Sequence, residues 1–205
     1  LTKDELNLDN ATDIYESLSE LKGSALKVAQ MLSMDKNILP KAYVDQFSLS
    51  QYNAPPLSGP LIVRTFSKYL GKTPSEIYDE FNIRSTNAAS IGQVHQASLN
   101  GKKLAVKIQY PGVGDSISSD LKMVKPFAFR LLGMSQKELE VYMTEVEERL
   151  LEETDYDLEI TRSIEFSEAC KNIPNVVFPA YYPDLSSKRI ITMDWLEGQH
   201  MKEFM

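Results

Sequence analysis

A single cysteine, Cys170, in 205 residues leaves no partner for an intrachain disulfide and no thiolate cluster for a metal. One isolated thiol is compatible with a reducing compartment. Basic side chains are also scarce: 22 Lys and Arg against 29 Asp and Glu give a formal charge of -7, with only two histidines. Nucleic-acid surfaces need clustered positive charge, so no nucleic-acid partner is expected, although a local basic patch is compatible with this balance. No run approaches the roughly 18 apolar residues of a membrane span. The opening LTKDELNLDN lacks the charged and apolar regions of a signal peptide. The chain opens on leucine and closes in WLEGQHMKEFM, where a helix is expected to begin just after a glycine. It therefore reads as a fragment, with room for an upstream targeting segment or anchor.

What is present is ordinary for a folded chain: 42% apolar and 25% charged residues, enough to bury a substantial core. Ile14, Leu18, Leu21, Ala25, Val28 and Leu32 recur at helical spacing, predicting a helix over about 11–34, with Asn10 as its N-cap. A packing role explains that face but not the polar pair Lys27 and Gln30. YNAPPLSGP is a turn-rich break. It is followed by an expected helix over 61–70 that stops at Gly71, and a second that opens in the capping box of TPSE. SQKE is another capping box, opening one long helix. On it Leu139, Met143, Val146, Leu150, Asp157 and Ile164 fall near one line, with Glu147 and Glu153 on its flanks. A further helix is expected within 116–132. Two strands, NVVFPA and KRIITM, should come last.

The hydrophobic period changes from helical to extended at Ile91. IGQVHQASL, the turn Asn100-Gly101 and KKLAVKIQY form a hairpin signal, because Asn-Gly readily takes the positive φ values of a tight turn. In its second strand Leu104, Val106 and Ile108 share one face, and Ala105, Lys107 and Gln109 the other. A lysine there carries a charged tip on an apolar stem and should meet a carboxylate or a phosphate, unless it simply lies at a solvated sheet edge. A loop, a hairpin, AVK and a helix glutamate match the arrangement in which a lysine holds ATP phosphates and the glutamate orients it. The element order resembles the small lobe of a protein kinase, an α+β fold of antiparallel strands with one helix packed across them. Periodicity alone does not separate it from other α+β domains.

SIGQVH, LAVKIQYPGV, EETDYDLE and LKVAQMLS together resemble the UbiB family, the aarF-domain atypical kinases, over essentially the whole chain. The resemblance implies a kinase-like fold in which a helical preface, carrying a lysine-x-glycine-glutamine motif, covers the nucleotide pocket. Here that motif reads Lys27, Val28, Ala29 and Gln30, with alanine in place of glycine. The glutamate-x-aspartate motif is matched by Glu153 and Asp155, so Lys27, Gln30, Glu153 and Asp155 are the implied gate, with Lys27 paired to Glu153. Glu147 is the implied partner of Lys107. An alanine-rich loop, here Ala88, Ala89 and Ser90, replaces the glycine-rich loop of ordinary kinases; backbone N–H groups can still cradle phosphate. The resemblance puts Met193 at the gatekeeper position, with the Asp194 carbonyl and the Leu196 N–H expected to bond adenine; taken alone, ITMDWLEG reads as a buried strand ending in a turn.

The expected organisation is a helical extension over 1–82, a small lobe with hinge over 83–198, and the start of a truncated large lobe over 199–205. The complete protein is expected to bind ATP or ADP with Mg²⁺ and to hydrolyse ATP or transfer its phosphoryl group, whereas this portion is expected to be inactive alone. The expected metal ligands belong chiefly to the large lobe and none is assigned in this chain. By resemblance the expected setting is isoprenoid-quinone biosynthesis or lipid homeostasis, cytoplasmic or peripheral to a membrane, with a small-molecule or lipid-like substrate and with lipid-pathway proteins as partners. The alternatives are a nucleotide-responsive, non-catalytic scaffold for such proteins, and a helical interaction module with vestigial kinase features.

Overall fold

A computed structural model describes residues 56–89, 91–132 and 134–198. The expected helix over 11–34 lies outside them. The described residues fall into two compact units, one built from 57–87, 94–108 and 155–198, the other from 88–93 and 109–154.

In the first unit, helix α1 (Gly59–Leu70) has Pro60 in its first turn and ends at Gly71, whose φ of 70° closes the helix in the left-handed region. The short helix α2 (Pro74–Ile77) opens where the Glu76 carboxylate accepts from both the N–H and the hydroxyl of Thr73, each at 2.7 Å. Strands β1 (Glu80–Phe81), β2 (Asn87–Ala89), β3 (Gly92–Leu99), β4 (Lys102–Gln109) and β5 (Ile190–Asp194) follow in chain order. They form one sheet in the order β1-β3-β4-β5, with β2 also pairing with β3. Asn100 and Gly101 turn the β3–β4 hairpin with φ of 51° and 76°, as the Asn-Gly signal requires. The helical extension was expected to run through residue 82; β1 starts at Glu80 and pairs with β3, setting Phe81 opposite Ala97.

One face of the hairpin supplies Leu104, Val106 and Ile108 to a core shared with Ile62, Phe66, Tyr78, Ala97 and Ile190. Phe66 is fully buried, edge-on to the rings of Tyr78 and Phe81. The Thr192 hydroxyl donates to the Leu185 carbonyl at 2.7 Å, so the Tyr78 hydroxyl, 2.8 Å from it, is the donor in their contact. Burial pushes the Tyr78 phenol up to about 12, against the opposing effect of Thr192.

Of the two strands expected at the end of the chain, only the second forms. Asn175 has a φ of 63°, and Pro179 has no N–H for a ladder. Residues 175–180 therefore take no strand conformation, and Val177 is 75% exposed. Pairing with β5 comes later, as a bridge between Tyr181 and Met193.

The second unit contains a pair of packed helices, α3 (Val113–Leu132) and α4 (Gln136–Thr154). Its core takes Val113, Ile117, Leu121 and Ala128 from α3, and Leu139, Met143, Val146 and Leu150 from α4. Ser135 opens α4 with the expected capping box, its N–H and hydroxyl donating to Glu138 at 2.9 and 2.7 Å. The long helix expected after residue 135 does not continue. Asp155 leaves the helical backbone at φ -89°, ψ 89°, and accepts the Leu158 N–H at 3.0 Å as N-cap of a separate helix α5 (Tyr156–Ala169). Gln109, fully buried, donates to the Thr154 carbonyl at 3.0 Å and satisfies the last turn of α4.

Two outcomes test this core. Phe66→Ala is expected to remove about 3–5 kcal/mol of stability in urea unfolding, because the ring is fully enclosed. His95 is also fully buried; its Nδ1–H donates to the Asn82 carbonyl at 2.8 Å, and its ring stacks on Phe81. Burial holds the imidazole below the ordinary histidine value, outweighing the upward pull of the Asn82 carbonyl. The unfolded chain then takes up the proton first. The contribution is fully present above about pH 6.5 and is lost as pH falls towards the lower folded value. Unfolding midpoints measured from pH 7 to 5 should fall, and fall less steeply in His95→Gln.

Candidate functional site

Lys107 sits in β4 opposite Ile191 of β5, on the strand face turned away from the sheet core. Its side chain is only 19% exposed. Both carboxylate oxygens of Glu159 accept from its ammonium at 2.9 Å, and the Tyr156 ring lies with its centroid 4.7 Å from Nζ. Both partners come from the first turn of α5. The fully buried Tyr156 anchors that turn, and Asp155 caps it. A half-buried cation thus gains a two-oxygen counter-charge and an aromatic face.

The carboxylate is not the expected one. Glu147 accepts a hydrogen bond from Ser118 within the helix pair, whereas Lys107 takes Glu159. The expected partner rests on the family resemblance; Glu147 lies on α4, where Ser118 of α3 engages it, whereas Lys107 meets a carboxylate at the start of α5. A single line at 3.6 residues per turn holds only along a continuous helix, and α5 restarts with its own phase. The sequence carries the missed signal: Asp155 is an N-cap residue type, and Asp157 and Glu159 place acid in the turn after it.

The other expected site residues distribute as follows. Ala88 and Ala89 lie on β2, paired with β3, and Ser90 is outside the described residues. Lys27 and Gln30 are also outside them. Glu153 is half-buried in the last turn of α4, and the Asp155 carboxylate caps α5. Met193 pairs with Ala105 near the end of β5, Asp194 ends that strand, and Leu196 is 49% exposed beyond it. Trp195 N–H donates to the Lys103 carbonyl at 3.2 Å.

Sequence reasoning also missed a cluster around Asp194. The Tyr182 hydroxyl donates to Asp194 Oδ1 at 2.6 Å, and Lys102 donates to Tyr182 at 2.8 Å and to the same Asp194 oxygen at 3.4 Å. The Tyr182 hydroxyl, then the Ala180 N–H and the Lys102 charge, hold the Asp194 carboxyl below its ordinary value despite partial desolvation. The Lys102 ammonium is raised, first by Tyr182 and then by Asp194. No helical or strand period signals this contact, because Lys102 and Tyr182 lie 80 residues apart.

If the pair at Lys107 is a coupled unit, a double-mutant cycle with Lys107→Met and Glu159→Gln should show coupling of about 0.5–3 kcal/mol in denaturant unfolding. Additive losses would mean that the two groups act separately.

The model of the ABC1 atypical kinase-like domain matches residues 49–205. The probable protein kinase UbiB of Cronobacter sakazakii is 32% identical over 94% of this chain and 36% of its own length. The mitochondrial atypical kinase COQ8 of Saccharomyces cerevisiae is 34% identical over 94% of this chain and 38% of its own. Among solved structures, Rv3197 of Mycobacterium tuberculosis, in complex with erythromycin, superposes with a TM-score of 0.60 at 32% identity. That match covers 98% of this chain and 53% of the other. The chain thus spans between a third and two-fifths of these two kinase relatives. The α+β sheet with its capped helix α5 is accordingly a kinase-like small lobe, and the chain belongs to the ABC1 atypical kinase-like family, alongside the aarF-domain, UbiB and COQ8 kinases.

Proposed function

We propose that the chain is the ATP-binding portion of an atypical kinase or ATPase. The observation that carries this reading is the fixed ammonium of Lys107. Two of its three N–H donors go to Glu159, and a phosphate oxygen can take the third. Glu159 holds the ammonium in place, and Tyr156 limits water on one side of it. The end of β5 supplies the polar backbone that a purine edge needs, at Asp194 and Leu196. By family resemblance, backbone N–H groups at Ala88, Ala89 and Ser90 are assigned to the phosphates as well. Mg²⁺, when bound with ATP, neutralises phosphate charge. These residues hold and orient the nucleotide, and the family's catalytic aspartates are assigned to the large lobe.

The gate assigned to Lys27 and Gln30 with Glu153 and Asp155 belongs to the same proposal. By family resemblance it extends to a small-molecule or lipid-like substrate, in isoprenoid-quinone biosynthesis or lipid homeostasis, next to a membrane. No described helix is long and apolar enough to cross one.

Calorimetry on the full-length protein tests the reading. Lys107→Met and Glu159→Gln should each weaken Mg-nucleotide binding, the former by about 1–3 kcal/mol for loss of a charge-assisted bond. Glu147→Gln should leave affinity unchanged. Unchanged affinity in folded Lys107→Met would remove Lys107 from the phosphate site. Binding without ATP turnover by the unaltered protein would favour a nucleotide-responsive scaffold over an enzyme.

A further inference from the structure

Asp194 lies where β5 leaves the sheet, and its side chain competes with its own peptide group for one hydrogen bond. Tyr182 N–H donates to the Thr192 carbonyl at 2.9 Å, and Asp194 N–H to the Ala180 carbonyl at 2.8 Å. These two bonds flank the Tyr181–Met193 bridge. In an antiparallel ladder the narrow pair of residues 180 and 194 would be closed by a reciprocal bond from the Ala180 N–H to the Asp194 carbonyl. Here the Ala180 N–H donates to the Asp194 carboxylate, at 3.2 Å from Oδ2. The opposite edge of β5 does not use that carbonyl either. Trp195 N–H bonds to the Lys103 carbonyl, which makes the neighbouring pair, Leu104 with Asp194, one whose backbone groups point away from each other.

The carboxylate is held in this substitute role. Its other oxygen accepts the Tyr182 hydroxyl at 2.6 Å and the Lys102 ammonium at 3.4 Å, and Lys102 also donates to Tyr182. Asp194 is 27% exposed and Lys102 64%, so Tyr182 contributes the directed contact and Lys102 a screened charge.

We infer that Asp194, positioned by Tyr182 and Lys102, is a specificity-determining residue: its carboxylate takes the ladder N–H of Ala180 and keeps its own carbonyl open for the 6-amino group of a purine. The inference rests on the nucleotide reading and deepens it. Because a carbonyl can only accept, it favours a base with an N–H donor at position 6. Without the carboxylate, the Ala180 N–H would close the ladder onto that carbonyl and occupy it.

The test uses two ligands that differ only at that position: ATP, and purine ribonucleoside triphosphate, which keeps N1 and lacks the 6-amino group. Dissociation constants are measured by calorimetry on full-length protein with Mg²⁺. The unaltered protein should prefer ATP by about two- to tenfold, the value of one hydrogen bond. Asp194→Ala should bring the ratio towards one, chiefly by weakening ATP. Asp194→Asn, which keeps a side-chain acceptor for Ala180, should retain most of the preference. Tyr182→Phe should reduce it partially, and serves if Asp194→Ala does not fold. An equal loss for both ligands in these variants, an unchanged ratio, or equal binding of the two ligands by the unaltered protein would overturn the inference while leaving nucleotide binding intact. Failure of the unaltered protein to bind either ligand would overturn the nucleotide reading and this inference together.

Discussion

A lysine on the strand face opposite the core still brings a full charge to a place that water reaches poorly, and the structure near residue 107 answers that cost. The alternation of β4 leaves Lys107 no choice of face: Leu104, Val106 and Ile108 must enter the core, so Lys107 must leave it on the other side. Once there, the ammonium needs a counter-charge, and Glu159 meets it with both oxygens. Tyr156 follows from the same demand. Its ring is buried and faces the cation, so one residue contributes to packing and to electrostatics. Asp155 then fixes where the helix carrying both partners begins.

Much of this frame was legible in the sequence because it is encoded by short-range rules. The Asn-Gly turn, the period-two strand, the capping boxes at Thr73 and Ser135, and the stop at Gly71 depend on neighbouring residues and appear where the local chemistry places them. The strand that did not form fails for local reasons too, at Asn175 and Pro179. The expected long helix stops at Thr154 for a different reason. Periodicity measures phase only while a helix lasts, and the stripe from Leu139 to Leu150 is real up to that limit. Carrying it past Asp155 put Asp157 and Ile164 on a line that α5 does not continue. The contacts of Asp194 with Tyr182 and Lys102 were illegible for a third reason, since they join strand ends that only the folded sheet brings together.

The two ends of β5 differ in how they are held. Towards its start, Ile190, Ile191 and Thr192 are fully buried, and Thr192 is tied by its hydroxyl to Tyr78 and Leu185. Among the described residues beyond Asp194, Trp195 makes a backbone bond to β4 and Glu197 an exposed ion pair with Lys103. The strand therefore runs from a dry core to a wetter margin.

The separate start of α5 has a consequence for how such a chain can tolerate change in length. Inserting or deleting one residue inside a continuous helix turns every later side chain by about 100°. It would have swung a distant carboxylate away from the lysine. Here the phase of Glu159 is set only four positions upstream, at Asp155, and the preceding helix is closed off on its own by Gln109. A change of length within α4 would disturb the packing of α4 against α3 and leave the register of Glu159 with Lys107 unaltered. The break thus acts as a reset of helical phase, so that the length of one helix can drift without altering the charge pairing made by the next.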